Sequence, residues 1–472
     1  MRSGSAADEA PERSEVKTSC VPVAVGLTIA IAAYLVLHFA EPALAITWSY
    51  AHLGRSRWLP LVGAALVVVL PALGLAFWDH PWLAAPPGRA TRRHVAVALA
   101  VLVPCLIALG ARFPTPHFSI DVVYFVDAVR SANEDNARWY LLLWMVTKLA
   151  AWLRAWLATD QAIRAANGVF AAIAVLALGG AARHLGRTRG EVGAITLLAV
   201  SAFGVAQLLM GYLDIYPFPL AWTAVYLWTA FAALDGTLHP IVPLTVAALG
   251  PFWYIGLAQL VPSALVIVAV ELRRSGGVLR LAVSAAVIVI LAGIATIPWF
   301  GHPFAWGAFL VRVKGISKYE LGLDPDSSLL PFDYMRSAAH LREVVHTILL
   351  VDGIGWILLI MCGASLLLRR RPDPKALLLA AVVLVSLAYL VTFDPLFGAY
   401  ADWDLYSYCT AASGLFGGWA LIAWGRKCPR AAGALVGLAL AAASVHLLAR
   451  LNALDVDLPR HLAESPYHIA TQ

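Results

Sequence analysis

Two short acidic segments separate long apolar runs of the chain. FDPLFGAYADWDLYS, residues 393–407, holds Asp394, Asp402 and Asp404 and no basic residue. MGYLDIYPFP places Asp214 in a very short connection. Ionised groups beside apolar runs are costly, and those that are retained usually face a cavity or a partner. Such carboxylates can deprotonate a hydroxyl group, hold sugar hydroxyls or coordinate a cation.

A third acidic segment is HFSIDVVYF, in which Asp121 follows a predicted helix end and Asp127 lies six positions later. His117 and His302 border the polar segments on the same predicted side and are candidate substrate ligands. The ordinary alternative is that each aspartate caps the helix that follows it, which is common for this residue type. That alternative is strongest for Asp404, which immediately precedes a predicted helix.

The polar segment near residues 308–343 begins with basic side chains that suit a phosphate group, namely Arg312, Lys314 and Lys318. The alternative is a solvated loop in which they pair with acidic residues further along the segment. Ser337 is a candidate cap for the helix after it.

Composition indicates that these segments belong to a membrane protein. The 472 residues are 61% hydrophobic and 13% charged, with a mean hydropathy of +0.77. Soluble domains are about half apolar and a quarter charged. Apolar runs of about 20 residues, enough to cross a bilayer core, recur along the chain. The sequence therefore predicts an all-α, polytopic helical membrane protein. The net charge of +6 comes from short clusters and does not indicate nucleic acid.

About 13 transmembrane helices are expected within a single domain over residues 21–450. A disordered cytoplasmic tail (1–20) and a polar outer tail (451–472) flank it. Neither the five cysteines nor any P-loop, HExxH or GxSxG pattern indicates a metal, nucleotide or hydrolase site. The predicted helices are 21–40, 58–78, 94–111, 162–183, 190–210, 216–234, 240–256, 257–273, 279–299, 345–368, 375–392, 407–424 and 430–449.

Charge predicts the topology. Five connections each carry three or more Lys or Arg: PPGRATRRH, RHLGRTRGE, ELRRSGGVLR, LRRRPDPK and WGRKCPR. With the amino terminus inside, all five fall on the cytoplasmic side, as the positive-inside rule requires. The acidic segments then face outward together.

The segment 139–157, WYLLLWMVTKLAAWLRAWL, is apolar enough to span, yet a span would move RHLGRTRGE outside. Lys148 and Arg154 also lie within it. We expect an interfacial amphipathic helix in the first long outer loop. A true span, compensated by a further helix elsewhere, remains the alternative.

With these features in place, residues 94–449 resemble the GT-C superfamily of integral membrane glycosyltransferases. Asp121 in the first outer loop and the interfacial segment after it carry part of the likeness. The turn formed by Gly211, Tyr212, Asp214 and Tyr216 and the Asp402-Trp403-Asp404-Leu405 motif are similar to those of bacterial GT-C-like proteins. Many GT-C enzymes have two adjacent acids in the first loop, whereas Asp121 stands alone. A WWDYG motif and a carboxyl-terminal carbohydrate-binding domain are absent from the sequence.

The resemblance implies transfer of a sugar from a polyprenyl-phosphate donor to a hydroxyl of a glycan or lipid acceptor, outside a bacterial inner or plasma membrane. Asp121, Asp214 and Asp404 are its candidate catalytic residues, with Asp121 as the base. Arg312, Lys314 and Lys318 are the candidate ligands of the donor phosphate. Other candidate substrate-binding residues are His117, Asp402, Trp403, Tyr212 and Tyr216.

No cofactor is implied, although Asp402 and Asp404 could bind Mg²⁺ or Ca²⁺. Membrane lipids are expected partners, and nucleic acid is not. Two alternatives stay open, a transporter or flippase for a lipid-linked or polar substrate and a catalytically silent GT-C-like partner protein. Convergence of Asp121, Asp214 and Asp404 on one cavity that opens outward would favour the glycosyltransferase. A cavity at mid-membrane would favour transport.

Overall fold

The computed structural model describes residues 10–37, 59–88, 92–112, 149–209, 216–296, 336–368, 372–392 and 404–453, and it is helical throughout these ranges, with no strand. Outside the α-helices, Ile255–Leu260 forms a 3₁₀ segment and Leu359–Gly363 a π-helix. The α-helices are α1 Ala10–Leu37, α2 Leu59–Phe77, α3 Pro81–Ala84, α4 Arg92–Arg112, α5 Thr159–Arg183, α6 Arg189–Ser201, α7 Phe203–Leu209, α8 Pro217–Leu234, α9 Ile241–Trp253, α10 Val261–Leu272, α11 Gly277–Thr296, α12 Ala338–Leu358, α13 Ala364–Leu367, α14 Pro374–Thr392, α15 Asp404–Ser407, α16 Thr410–Gly425 and α17 Pro429–Ala453.

Several helices have the length and apolar composition needed to cross a membrane, and the prediction of a helical membrane protein is confirmed. Within the described ranges six qualify singly, and a seventh if α6 and α7 form one bent span. Shorter apolar helices occupy other predicted spans, so the count of about 13 crossings stays a prediction. The six are Gln161–Arg183, Pro217–Leu234, Gly277–Ile294, His340–Gly363, Pro374–Thr392 and Pro429–Leu448.

Every predicted transmembrane segment contains helix, and most boundaries agree within a few residues. The main difference is at α1, which begins at Ala10 and so extends into the range 1–20; the disordered cytoplasmic tail stays a prediction. Ala, Glu, Arg and Lys favour helix, and Pro11 is tolerated in a first turn because its missing N–H has no intrahelical partner there. Ser337 is confirmed as the cap of α12, since its hydroxyl accepts the His340 N–H at 3.1 Å.

Two helical segments are broken where the sequence predicts continuity. The axes of α6 and α7 differ by 83° across Ala202. Gly204 sits just beyond this bend, and a Cβ there would lie 2.5 Å from the Ser407 hydroxyl. Asp352, in the middle of α12, has a non-helical backbone (φ −160°, ψ 52°). Both breaks free backbone groups that neighbouring elements must satisfy.

Glycines bring the last helix close to the second. Gly74 of α2 and Gly433 of α17 meet backbone to backbone, and Gly437 packs against the Leu70 carbonyl. Small residues at such crossings allow tight helix packing in membranes. Since α1 also packs on α17, the carboxyl-terminal helix closes the amino-terminal part of the bundle.

The five basic connections lie together at one end of the bundle, here called the basic end. Arg183 donates to the Gly88 carbonyl, which joins the first connection to the second. Arg426 pairs with Glu191 at 2.8 Å, and Lys375 donates to the His184 carbonyl at 2.8 Å. Lys375 also pairs with Asp235 at 2.7 Å. The Arg274 guanidinium of the remaining connection donates to carbonyls of the neighbouring α8 terminus, Ala233 and Leu234. Their common placement agrees with the charge pattern.

Candidate functional site

The opposite end of the bundle is where the two acidic segments meet the described helices. Helix α8 begins directly after MGYLDIY, α14 ends just before FDPLFG, and α15 begins at Asp404. The start of α12 lies here too, because a ring nitrogen of His340 is 2.7 Å from the Val391 carbonyl. We call this region the tyrosine end.

Tyrosine rings connect the two acidic segments. Tyr216, two residues after Asp214, contacts Tyr254 edge-on with ring centres 5.8 Å apart. Tyr254 contacts Tyr408, four residues after Asp404, edge-on at 5.9 Å. All three are buried, with at most 6% of each side chain exposed. We refer to Tyr216, Tyr254 and Tyr408 as the tyrosine cluster.

Local backbone geometry places the cluster. Tyr216 precedes two prolines, and Pro217 at the first position suits the helix start. Tyr254 has an extended backbone (φ −151°, ψ 123°) that ends α9 and begins the 3₁₀ segment. Gly256 lies directly against the Tyr408 hydroxyl, where a side chain would clash.

A buried polar group continues from the cluster into the bundle. The Gln259 amide donates to the Tyr408 hydroxyl at 3.1 Å, and the Cys409 thiol donates to the Gln259 oxygen at 3.2 Å. The Thr410 hydroxyl donates to the Ser407 carbonyl at 2.6 Å. These groups border a cavity of about 30 Å³ whose other walls are mainly apolar side chains of α12 and α14. Its polar lining includes Gln259, Ser386, Tyr406, Cys409, Thr410 and Ser413.

Beside this cavity lies Asp352, which the sequence analysis missed. Its side chain is 3% exposed. The Gly355 N–H donates to its Oδ1 at 2.9 Å, while its Oδ2 contacts the Ser413 hydroxyl. Gly417 lets α16 approach the Gly355 carbonyl, which holds the two helices close at this level. A signal was available, since Asp352 is the sole carboxylate in the apolar run 345–368.

Among the predicted site residues, Tyr216 is the one whose side chain is described, and it forms part of the tyrosine cluster. Asp404 is the first residue of α15, a position that also suits the capping alternative. The other predicted site residues lie outside the described ranges, and their roles stay predictions: His117, Asp121, Tyr212, Asp214, Arg312, Lys314, Lys318, Asp402 and Trp403. Asp127, Asp394 and His302 also lie outside them.

The predicted interfacial segment is described from residue 149 onward. Its helical part ends at Leu153, before α5 begins at Thr159. Trp152 and Trp156 are 62% and 67% exposed, and their rings meet edge-on at 4.9 Å. Exposed tryptophans of this kind are typical of membrane interfaces. The choice between interface and span stays a prediction.

Comparisons with family models, curated proteins and solved structures found no match. The chemistry open to the tyrosine end therefore follows from this chain's own residues. Within the described ranges no group of three or more His, Cys, Asp or Glu could hold a metal ion. That finding does not bear on Asp402, which lies outside them. Hydroxyls, an amide and aromatic faces can bind and orient a polyol. The carboxylates of the acidic segments are candidates for a general base.

Proposed function

We propose that the protein is a GT-C-type membrane glycosyltransferase. It transfers a sugar from a polyprenyl-phosphate donor to a hydroxyl acceptor at the tyrosine end. The observation that carries the proposal is the contact of Tyr216 with Tyr254 and of Tyr254 with Tyr408. Asp214 is two residues from Tyr216, a reach of at most about 7 Å. Asp404 is one helical turn from Tyr408. Described residues at the ends of two motifs behind the GT-C resemblance therefore lie close together, which supports the proposal.

The charge distribution supports an extracytoplasmic site. The basic connections occupy the other end of the bundle, and basic loops favour the cytoplasmic side. Polyprenyl-phosphate sugars present their headgroup at the membrane border, which is where the acidic segments enter the helices. The donor chain would then remain in the bilayer while its sugar meets the carboxylates.

In the proposed reaction, Asp121 removes the proton from the acceptor hydroxyl as that oxygen attacks the anomeric carbon. The bond between the anomeric carbon and the phosphate oxygen breaks, and the lipid phosphate leaves as an anion. Arg312, Lys314 and Lys318 stabilise this anion. Asp214 and Asp404 hold sugar or acceptor hydroxyls, and inversion follows from a single displacement.

The test is sugar transfer by the purified full-length protein, supplied with a panel of labelled polyprenyl-phosphate sugars and alcohol acceptors. Asp121→Asn is expected to lower turnover at least about 100-fold, the lower range for loss of a general base. Asp214→Asn and Asp404→Asn should raise KM or lower turnover to a smaller extent. The matched control is Asp79→Asn, which removes an exposed carboxylate at the basic end. Equal turnover of Asp121→Asn and wild type would exclude Asp121 as the base.

Transport is the second candidate, and the broken helices favour it. Discontinuous helices line the substrate sites of many transporters, and this chain has breaks at Ala202 and Asp352. The same labelled compounds, tested in proteoliposomes, separate the two functions. Passage of an unmodified compound across the bilayer, with no sugar transferred to any acceptor, would replace the glycosyltransferase with a carrier.

A further inference from the structure

Asp352 is a carboxyl group in the interior of a membrane-spanning helix, and within the described residues it has no ion-pair partner. Burying an unpaired carboxylate costs several kcal/mol even after the protein relaxes. The hydrogen bonds around Asp352 must therefore be compatible with its charge state, either an ionised carboxylate or a neutral carboxylic acid.

The single hydroxyl hydrogen of Ser413 can go either to Asp352 or to the Thr410 carbonyl. Burial of Asp352 without an ion-pair partner favours the second arrangement, in which Asp352 is neutral. The Ser413 Oγ lies 2.9 Å from the Thr410 carbonyl and also contacts the Asp352 Oδ2. A serine hydroxyl has one hydrogen to donate, and a backbone carbonyl can only accept. If Ser413 donates to Thr410, the hydrogen in the contact with Asp352 must come from Asp352. A neutral carboxyl then donates through Oδ2–H and accepts the Gly355 N–H at Oδ1, so every donor is used.

Helices next to α12 carry ionisable groups. Within the described residues, none of these groups forms an ion pair with Asp352. The Tyr34 hydroxyl of α1 donates to the Leu349 carbonyl at 3.2 Å and contacts a ring nitrogen of His446 on α17. That carbonyl lies one turn before the break at Asp352. Charged residues of the adjacent helices sit near helix ends, as Lys375 does. The ionisable groups on α12 and on the elements packed against it include Tyr34, His340, Arg342, Glu343, His346, Cys362, Lys375, Tyr389, Cys409 and His446.

A small cavity also lies beside Asp352. Ser413 and Thr410 line the cavity of about 30 Å³, and Tyr406 lines it towards the tyrosine end. A cavity needs roughly 10–15 Å³ on this measure to hold one water, with two to four polar partners. The hydroxyls of Ser413, Thr410 and Ser386 provide such partners. Space for a water molecule thus adjoins the hydroxyl that contacts Asp352.

We propose that Asp352 is an intramembrane proton-binding site, which its burial without an ion-pair partner keeps in the neutral form and which exchanges its proton through this cavity. The ligand is a proton rather than a metal cation. The inference stands apart from sugar transfer, because it depends only on α12, α16 and the cavity between them.

Infrared spectroscopy of the full-length protein in lipid nanodiscs tests the proposal directly. Wild type at neutral pH should show the carbonyl stretch of a buried carboxylic acid, which Asp352→Asn removes and Asp79→Asn leaves. Ser413→Ala should keep this band and move it to higher wavenumber, because the acid loses its hydrogen-bond acceptor. A purely structural role for Ser413 would not move the band.

Asparagine should be accepted at position 352, since it is neutral and can both accept from Gly355 and donate to Ser413. Asp352→Asn is therefore expected to unfold close to the wild-type temperature. An unchanged carboxylic-acid band in Asp352→Asn would overturn the proposal. So would a thermal stabilisation by NaCl over KCl that Asp352→Asn abolishes, which would make the site a cation site. Should Asp352→Asn not fold, the absence of a band shift in Ser413→Ala overturns it alone.

Discussion

The two ends of the bundle satisfy polar groups in different ways. The basic end contains ion pairs between described side chains, such as Arg426–Glu191 and Lys375–Asp235, that join segments far apart in the chain. At the tyrosine end, the described contacts are ring contacts and hydrogen bonds of hydroxyls, one amide and one thiol. Several charged side chains at the basic end are therefore paired with one another.

The difference separates a structural role from a binding role. Cations that have nearby acidic partners hold the basic connections together, and these paired cations are less available to bind a ligand. The acidic segments at the tyrosine end carry aspartates with no basic residue in the same segment. Three variants compare the two ends, in order of decreasing expected effect.

The largest effect is expected when a buried ion pair loses one partner. Arg426→Ala leaves Glu191, which is 8% exposed, without the Arg426 guanidinium that contacts both its oxygens. We expect a loss of about 3 kcal/mol in the free energy of unfolding. Arg430→Ala is the control, because Arg430 pairs with Asp79 at 3.3 Å with its side chain 80% exposed. Such a pair contributes roughly 0–1 kcal/mol. Equal unfolding free energies of the two variants would show that the basic end is not a clamp.

An intermediate effect is expected from Tyr408→Phe at the tyrosine end. The change removes the hydroxyl that accepts the Gln259 amide and leaves a buried donor unpaired. The free energy of unfolding should fall by about 1–2 kcal/mol. Adding Gln259→Leu should recover part of that loss, because both polar partners are then replaced by apolar groups. Strictly additive losses in this double-mutant cycle would show that the two side chains do not interact.

The smallest effect concerns the pH dependence of the basic end. Burial raises the pKa of Asp235, but hydrogen bonds and charge from His184 and Lys375 outweigh it, and the net pKa is lowered. A carboxyl with a lowered folded pKa stabilises fully above its unfolded pKa of about 4, and this contribution disappears as pH falls through the folded value. Since Asp235 is a third exposed, less than about 1 kcal/mol is expected. Thermal unfolding of Asp235→Asn against wild type between pH 3 and 7 should show this slope only in wild type. Parallel curves would exclude the effect.

Much of the fold followed from hydropathy alone. Long apolar runs bounded by basic clusters predicted the helices, and the five basic connections do share one end. The breaks were not predictable in the same way. The bend at Ala202 accompanies a close approach between Gly204 and Ser407, which are about 200 residues apart in the chain. Hydropathy reports local composition and carries no information on such distant contacts.

The candidate site was predictable in part. The spacing of Tyr216 after Asp214 marked a residue that does lie in the tyrosine cluster. Tyr254 and Gln259 gave no signal, because they sit in an apolar stretch that was assigned to two continuous helices. Asp352 did have a signal, as a single acid within an apolar run, but the predicted site residues were all taken from polar connections between helices.

The glycine crossing of α2 and α17 bears on how the protein is made. The ribosome synthesises α17 about 350 residues after α2, so α2 lacks this partner while the intervening chain is being made. Chains that stop before Pro429 would present the bare face of α2 to quality-control proteases.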